Sequence, residues 1–232
     1  MKVAIIPARG GSKRIPKKNI KNFLGKPIIS YSIETAINTN LFDKVIVSTD
    51  SDEIAKVAIK YGAETPFVRP KKFADDFTGT HEVIRHAVNW LENKGEKIDY
   101  ICCIYPTAPL IEKNDILRGF DLIKSGKWDS IMAATNFSYP IFRSFKKLTN
   151  GGLKMIFPEH YKSRSQDLPN VYHDAGLFYW AKPEIWKKKS QGYNEKNSIV
   201  EIPNHRVQDI DTFEDWEKAE LIYKILRKNN DY

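Results

Sequence analysis

A glycine-rich, basic segment near the start of the chain has the chemistry of a phosphate-binding loop. Its informative residues are Ala8, Arg9, Gly10, Gly11, Ser12, Lys13, Lys18 and Asn19. Glycines allow backbone N–H groups to converge on an anion, arginine binds phosphate oxygens in bidentate fashion, and lysine adds a point charge. We therefore predict a phosphate site here, and the alternative is a solvated basic turn.

The segment matches neither of two common nucleotide-binding signatures. Gly25-Lys26 is followed by Pro27, Ile20 stands where a Walker A loop needs glycine, and G-x-G-x-x-G does not occur. The sequence therefore gives no support to a P-loop NTPase or to an NAD-type dehydrogenase.

Two carboxylates near the end of the chain are candidates for holding a metal ion. Asp209 and Asp211 stand at i and i+2 on a predicted extended segment, which places them on the same side. Mg²⁺ prefers one or two carboxylates together with substrate phosphates. Asp211 could instead be an N-cap or a first-turn acid of the next helix. The phosphate loop favours the metal, because Mg²⁺ would bridge the two.

Further polar side chains follow predicted strands. We expect Asp50 to cap the helix after it, whereas Arg69 could meet a nucleotide or lie on the surface. A polar cluster at 164–167 precedes a buried-looking strand, and His173 and Asp174 at the start of that strand could contact a substrate. No Ser-His-Asp arrangement is evident.

Charge and cysteine content narrow the classes of function. The net charge of +8 comes entirely from residues 1–26, because the remaining 29 basic residues balance 29 acidic ones. One local basic segment favours a defined polyanionic ligand over nucleic acid. Cys102 and Cys103 adjoin in an apolar run, which predicts buried side chains rather than a disulfide or a zinc site. The sequence contains neither a long apolar run nor a signal-peptide core. We therefore predict a cytoplasmic protein that does not span a membrane.

Alternating strands and helices must position these loops. We predict strands at 2–7, 45–49, 66–68, 98–105, 129–135 and 171–180, and helices at 28–40, 52–61, 80–93, 113–125 and 212–226. Continuously apolar strands alternating with helices are typical of an α/β fold with a parallel sheet, which binds ligands at the carboxyl ends of its strands. Residues 137–172 are rich in aromatics, proline and glycine and predict an excursion from the sheet.

Together these motifs resemble the CMP-sialic acid synthetases, also called acylneuraminate cytidylyltransferases. The matching segments, in chain order, are 6–13, 16–19, 48–50, 69–70, 106–110 and 209–212, so that the resemblance covers nearly the whole length. It implies one domain over 1–232, with a mostly parallel, Rossmann-like nucleotidyltransferase sheet. It also implies a homodimer with a small inserted dimerisation arm at approximately 137–172.

The resemblance implies a reaction and roles for the nucleotide-binding residues. CMP would pass from CTP to the anomeric hydroxyl of a nonulosonic acid, releasing pyrophosphate, with Mg²⁺ on Asp209 and Asp211 and no nucleic-acid partner. Arg9, Lys13 and Lys18 would act on the triphosphate. The remaining implied nucleotide contacts are Asn19 on the ribose, Arg69, Thr78 and Thr80 on the cytosine, and Ala8, Gly10, Gly11 and Ser12 in the loop. Asp211 is the best candidate for a general base.

The sugar site departs from the N-acetylneuraminate enzymes of the family. They typically carry glutamine where this chain has Tyr105, and arginine near His173. The segments 12–16, 74–80, 104–109, 164–167, 172–176 and 205–211 look most like the branch that activates pseudaminic acid. The implied sugar contacts are Tyr105, Arg164, Gln166, His173 and Asp174, with Arg164 acting in the neighbouring subunit. Legionaminic and N-acetylneuraminic acid remain alternatives.

Two more distant interpretations remain. A glycosyltransferase also uses an Asp-x-Asp pair and Mg²⁺, although its pair usually ends a strand in the middle of the sheet. A basic nucleic-acid-binding module would bind without nucleotide preference and with strong salt dependence. The balanced charge of residues 27–232 counts against the second interpretation.

Overall fold

A computed structural model describes residues 1–188 and 192–228, and its elements alternate largely as expected. The strands are β1 (Lys2–Pro7), β2 (Asn22–Phe23), β3 (Lys26–Pro27), β4 (Lys44–Ser48), β5 (Tyr100–Ile104), β6 (Ser130–Asn136), β7 (Phe145–Lys147), β8 (Leu153–Met155), β9 (Tyr172–Ala181) and β10 (Asn197–Glu201). The α-helices are α1 (Ile28–Asn38), α2 (Asp52–Lys60), α3 (Thr80–Asn93), α4 (Lys113–Lys124), α5 (Pro183–Lys187) and α6 (Phe213–Lys228). The predicted domain span of 1–232 extends past the described residues at 189–191 and 229–232.

A six-stranded sheet in the order β10-β6-β9-β5-β1-β4 forms the centre. β1 pairs in parallel with β4 and β5, and β10 pairs in parallel with β6. β9 is antiparallel to both of its neighbours, β5 and β6. The predicted α/β fold with a mostly parallel sheet is therefore confirmed.

The core lies on both faces of this sheet, as the continuous apolar strands predict. Ala4 and Ile6 of β1 face the cluster formed with α1, α2 and α4, whereas Val3 and Ile5 face the cluster formed with α3 and α5. Alternate side chains of a strand point to opposite faces, so a strand covered on both sides must be apolar throughout. Cys102 and Cys103 are buried on opposite faces, and burial raises the pKa of both thiols.

One predicted strand does not form. Within residues 66–68 there is a single bridge, Val68 with Thr49, and a second bridge joins Glu64 to Ile46 just before this segment. Pro66 lies within this segment and Pro70 follows it, and proline has no N–H to donate to a ladder. Strand β10 and the small β2–β3 hairpin were not predicted, because none of these segments has more than two consecutive apolar residues.

The predicted excursion at 137–172 leaves the main sheet after β6 and returns to it at Tyr172, which is the first residue of β9. It contains the β7–β8 hairpin, which pairs only within itself, and short 3₁₀ turns. Large apolar side chains of this segment are exposed, Tyr139 at 84% and Leu153 at 65%. We refer to residues 137–172 as the arm. Within the part of the chain that the structure describes, no helix is both long and apolar enough to span a bilayer.

Candidate functional site

A cavity of about 400 Å³ opens where β1 and β5 end. Pro7, the last residue of β1, and Tyr105, which follows β5, both line it. It brings together nine of the residues predicted from the sequence: Arg9, Ser12, Lys13, Lys18, Asn19, Arg69, Thr78, Thr80 and Tyr105. The site therefore lies at the carboxyl ends of parallel strands, as expected for this class of sheet.

Residues 8–19, which we refer to as the basic loop, are held by backbone contacts on both sides of Arg9. Ala8 is buried, and its N–H donates to the carbonyl of Ser48 at 2.9 Å. The side-chain amide of the buried Asn19 donates to the Arg9 carbonyl at 2.9 Å. Because the backbone is fixed at these points, the Arg9 guanidinium is aimed into the cavity by the loop itself.

Asp50 has a different role from the expected one. Ser51, not Asp50, caps α2, with its Oγ accepting from the Ile54 N–H at 3.4 Å. Asp50 Oδ1 instead accepts from the Gly10 N–H at 2.9 Å. A Cβ at Gly10 would lie 3.1 Å from Ser51 Cβ, so glycine allows the loop to approach α2 this closely. Asp50 therefore supports the basic loop.

An acidic turn faces the basic loop across the cavity. Arg9 Nη1 lies 2.8 Å from Asp76 Oδ1, and the Lys13 ammonium pairs with the other oxygen of the same carboxylate. Arg9 Nη1 also donates to the Asp75 carbonyl at 2.5 Å. The Lys13 ammonium, with help from Arg9, lowers the pKa of Asp76. Neither acid was predicted from the sequence as a site residue, although they lie three and two positions before the predicted Thr78.

Arg69 is a wall of the cavity rather than a surface residue. It is only 3% exposed, and its Nε donates to Ser48 Oγ at 3.1 Å. Its other nitrogens donate to the carbonyls of Ser48 and Phe73. Burial lowers the pKa of Arg69 to about 10. The alternative that Arg69 lies on the surface is therefore wrong.

The two carboxylates predicted to hold a metal ion adjoin the same loop. Asp211 Oδ1 lies 2.8 Å from Arg14 Nη2 and 3.4 Å from Lys18 Nζ, and both basic residues line the cavity. Lys18 Nζ also donates to the Ile210 carbonyl at 2.5 Å. Burial, and next to it the charge of Asp211, raises the pKa of Asp209. The pair is thus adjacent to the basic loop, although neither carboxylate lines the cavity itself.

The helix-capping role considered for Asp211 is taken by its neighbours. Asp215 Oδ2 accepts from the Thr212 N–H at 2.8 Å, while Thr212 Oγ1 accepts from the Asp215 N–H at 3.2 Å. This is the reciprocal arrangement of a capping box, with aspartate in the glutamate position. The side chain of Asp211 therefore remains directed to the loop cations.

These carboxylates suit Mg²⁺ better than a metal bound by protein alone. Within 1–188 and 192–228, no group of three or more His, Cys, Asp or Glu side chains could hold a metal ion. Mg²⁺ commonly uses one or two carboxylates and completes its shell with water and substrate phosphates. The mutual repulsion that contributes to the raised pKa of Asp209 is also what a divalent cation would relieve.

A polar chain leads from the cavity to β9. Tyr105 Oη lies 3.2 Å from Thr80 Oγ1, and the Tyr105 ring is 5.3 Å from the ring of Tyr179. Tyr179 Oη donates to Asp174 Oδ2 at 2.6 Å. Burial raises the pKa of both tyrosines, so both hydroxyls stay protonated and can donate. Asp174 is thus joined to the site, through a tyrosine that sequence patterning did not single out.

Three predicted sugar contacts lie away from the cavity. Arg164 and Gln166 belong to the arm, where Arg164 Nε donates to Asp167 Oδ2 at 2.7 Å. The exposed His173 packs its ring 4.8 Å from that of Phe137 and bonds the Asp174 carbonyl at 2.9 Å. Within the described residues of one chain, no contact brings these three side chains to Tyr105, and their roles stay predictions.

Comparison with known proteins shows what this chain is similar to. Its sequence matches the cytidylyltransferase family over residues 3–229. It is 45% identical over 223 residues to the pseudaminic acid cytidylyltransferase of Campylobacter jejuni serotype O:2, covering 96% of each chain. It is 28% identical to the CMP-N,N'-diacetyllegionaminic acid synthase of Legionella pneumophila, again over 96% of each chain.

A solved structure shares the fold. The structure of CMP:2-keto-3-deoxy-manno-octonic acid synthetase complexed with CTP superimposes with a TM-score of 0.71, covering 96% of this chain and 98% of that one. The sequence identity is 16%, so the likeness concerns the fold alone.

Proposed function

Because the chain belongs to the cytidylyltransferase family, we propose that it transfers CMP from CTP to the anomeric hydroxyl of pseudaminic acid. The observation that carries this proposal is the 45% identity to a pseudaminic acid cytidylyltransferase, which extends over 96% of both chains. The identity falls to 28% for the relative named for legionaminic acid. The sugar oxygen attacks the α-phosphorus, the bond from that phosphorus to the bridging oxygen breaks, and pyrophosphate leaves.

The triphosphate binds against the basic loop. Attack by a carboxylate-bearing sugar on a polyanion requires strong charge neutralisation, which fixed cations supply best. Arg9 and Lys13 converge on one carboxylate, that of Asp76, and so are spaced to share an anion of similar size. Phosphate oxygens replace this carboxylate when CTP binds. Lys18, bound to the Ile210 carbonyl, adds charge between the loop and Asp211.

The nucleoside binds on the other side of the cavity. Thr78 and Thr80 line it beside the buried Arg69, and we assign these three residues to cytosine. Asn19 is assigned to the ribose, and its bond to the Arg9 carbonyl couples ribose binding to the loop. Ala8, Gly10, Gly11 and Ser12 provide the backbone of the basic loop on the triphosphate side.

Asp209 and Asp211 hold Mg²⁺ in this proposal. When bound, Mg²⁺ would neutralise charge on the triphosphate and on the departing pyrophosphate. Asp211 also remains the candidate for accepting the proton of the anomeric hydroxyl. This assignment rests on its contact with Lys18, which ties it to the loop where the α-phosphate would lie.

The sugar site is completed by a second copy of the chain. The arm exposes Tyr139, Phe145, Leu153, Ile156 and Tyr161, and clustered exposed apolar side chains mark interaction surfaces. We propose that two arms form a homodimer interface and that Arg164 and Gln166 reach the partner's sugar. Tyr105, His173 and Asp174 contact the sugar from within the chain. We expect the enzyme in the cytoplasm.

A pyrophosphate-release assay tests the reaction. Purified protein with Mg²⁺ is given CTP and pseudaminic, legionaminic or N-acetylneuraminic acid, with ATP, GTP and UTP as nucleotide controls. Release with CTP and pseudaminic acid alone is the expected result. Release with CTP and a different acid would keep the reaction class and overturn the choice of sugar. Lack of release with any acid would overturn the proposed reaction.

A further inference from the structure

A buried ion pair lies beneath the segment that leads to the two carboxylates. Arg206 Nη1 donates to Asp115 Oδ2 at 2.7 Å, and Arg206 Nη2 donates to Asp115 Oδ1 at 3.0 Å. Both residues are buried, Arg206 to 7% exposure and Asp115 to 2%. Arg206 Nη1 also lies 3.2 Å from Glu112 Oε2. A single guanidinium therefore fastens the segment after β10 to the first turn of α4.

Stability alone is a weak explanation for this pair. Removing two charges from water offsets most of their attraction, and well-packed apolar residues often replace such a pair without loss of stability. Arginine forms two parallel hydrogen bonds with a carboxylate, which restrict distance and orientation together. What the bidentate pair provides is therefore geometric restriction.

The position of Arg206 shows what is restricted. The backbone from β10 to α6 is buried at Ile202 and again at Ile210. The structure describes all of residues 203–209 between these two apolar anchors, and among them only Arg206 is buried. Asp209 follows three residues after Arg206 and directly precedes Ile210. The ion pair is thus the middle attachment of the segment that carries the first carboxylate.

Local contacts do not duplicate this attachment. Gln208 Nε2 donates to the Asp209 carbonyl at 2.8 Å and to Asp215 Oδ1 at 3.1 Å. These bonds join the segment to α6, and Asn204 Nδ2 joins it to the sheet by donating to the Asn136 carbonyl of β6 at 2.8 Å, but none of them reaches α4. Loss of the Arg206 guanidinium would remove the ion pairs of this stretch with Asp115 and Glu112, and would so loosen its position with respect to α4.

We propose that Arg206 is a positioning residue, and that its bidentate pair with Asp115 holds Asp209 where it can share a divalent cation with Asp211 and the triphosphate. The inference rests on the proposed function, because it assumes that Asp209 and Asp211 hold Mg²⁺. It assigns Arg206 no contact with nucleotide or sugar. Loss of the Arg206 side chain should weaken the binding of CTP in the presence of Mg²⁺. The binding of CTP to the basic loop without metal should be unchanged.

The test measures CTP affinity by calorimetry, without sugar, in EDTA and in saturating Mg²⁺. The dissociation constant in EDTA divided by that in Mg²⁺ reports how much the metal tightens CTP binding. Arg206→Met should lower this ratio by about tenfold or more, with the EDTA value within about twofold of wild type. Arg206→Lys should lower it less, because an ammonium cannot reproduce the two parallel bonds.

Arg118→Met is the matched control. Arg118 Nη2 also contacts Asp115 Oδ1, at 2.8 Å, but Arg118 is half exposed and lies on α4 itself. It does not fasten the 203–209 stretch at Asp115, so its ratio should match wild type. A lower melting temperature without a change in the ratio for Arg206→Met would show a purely structural role and overturn the inference. If Arg206→Met does not fold, Arg206→Lys decides, and a wild-type ratio there overturns the inference.

Asp209→Asn separates this inference from the function on which it rests. Loss of the Mg²⁺ effect in Asp209→Asn together with its retention in both Arg206 variants contradicts the positioning role alone. Full retention of the Mg²⁺ effect in Asp209→Asn contradicts the metal assignment itself. Loss in Asp209→Asn and in Arg206→Met, with Arg118→Met unchanged, is the expected result.

Discussion

The basic loop and the arm are built in opposite ways. The loop at 8–19 joins a fully buried strand, and hydrogen bonds from Ala8, Gly10 and Asn19 fix its backbone. Its cations already face a carboxylate. The arm exposes its apolar side chains, and its polar residues Arg164 and Asp167 bond to each other.

This difference divides the proposed site into two halves. The residues assigned to the nucleotide lie together within one chain, on loops and helix ends next to the central sheet. The sugar half has Tyr105, Tyr179 and Asp174 in place, whereas Arg164 and Gln166 lie on the arm. Variants of the two halves should therefore differ in which substrate they affect and in whether a second subunit can compensate.

Arg9→Ala should have the largest effect, because it removes the guanidinium that the proposed function assigns to the triphosphate. We expect kcat/KM for CTP to fall by about 10²–10³-fold, with an unchanged circular dichroism spectrum. Lys17→Ala is the matched control, since Lys17 belongs to the same basic segment but pairs with Glu53 at 2.7 Å. Near-wild-type turnover of Arg9→Ala would remove the loop from the proposed site.

Arg164→Ala should chiefly affect the sugar. We expect its KM for the sugar to rise by about 10–100-fold, as for the loss of a charged hydrogen bond, with the CTP dissociation constant unchanged. Denaturing and refolding a one-to-one mixture of Arg164→Ala and Arg9→Ala tests whether the residue acts across the interface. Random dimers with one intact site in each heterodimer should regain about a quarter of wild-type activity. No recovery above the separate variants would place Arg164 within its own subunit's site, or outside the site altogether.

Tyr105→Gln should alter the choice of sugar more than the rate. Replacing a half-buried phenol that contacts Thr80 and Tyr179 changes both the shape and the hydrogen bonding of the cavity wall. We expect the preference for pseudaminic over N-acetylneuraminic acid, measured as a ratio of kcat/KM values, to fall by about tenfold. An equal fall of kcat/KM for both acids would show that Tyr105 supports the fold without selecting the sugar.

Asp76→Asn should have the smallest effect, and in the opposite direction. Its carboxylate pairs with Arg9 and Lys13 and must leave before phosphate oxygens take its place. We expect CTP measured in EDTA to bind about threefold to tenfold more tightly, since exposed pairs contribute little. Glu53→Gln, which removes the α2 carboxylate that pairs with Lys17 outside the cavity, should have no effect. Weaker binding by Asp76→Asn would mean that the carboxylate orients Arg9 rather than competing for it.

The chemistry of the nucleotide half could be predicted from the sequence because it is local. Glycines and cations in one short segment have few uses other than binding an anion, and a strand apolar throughout must be buried on both faces. Helix α3 was predicted with its observed bounds, since its apolar residues recur with helical spacing. The burial of the adjacent cysteines followed from the same local pattern.

Contacts between distant segments could not be predicted in this way. Asp76 meets Arg9 across 67 positions of the sequence, Asp115 meets Arg206 across 91, and β9 enters the sheet antiparallel between β5 and β6. Propensity and periodicity describe neighbours along the chain and carry no information about which strand lies beside which. The sequence by itself determined most of the strands of the central sheet, the long helices and the chemistry of the basic loop. Only the tertiary structure decided which acids, tyrosines and arginines would meet around that loop, because packing of the sheet and helices sets those distances.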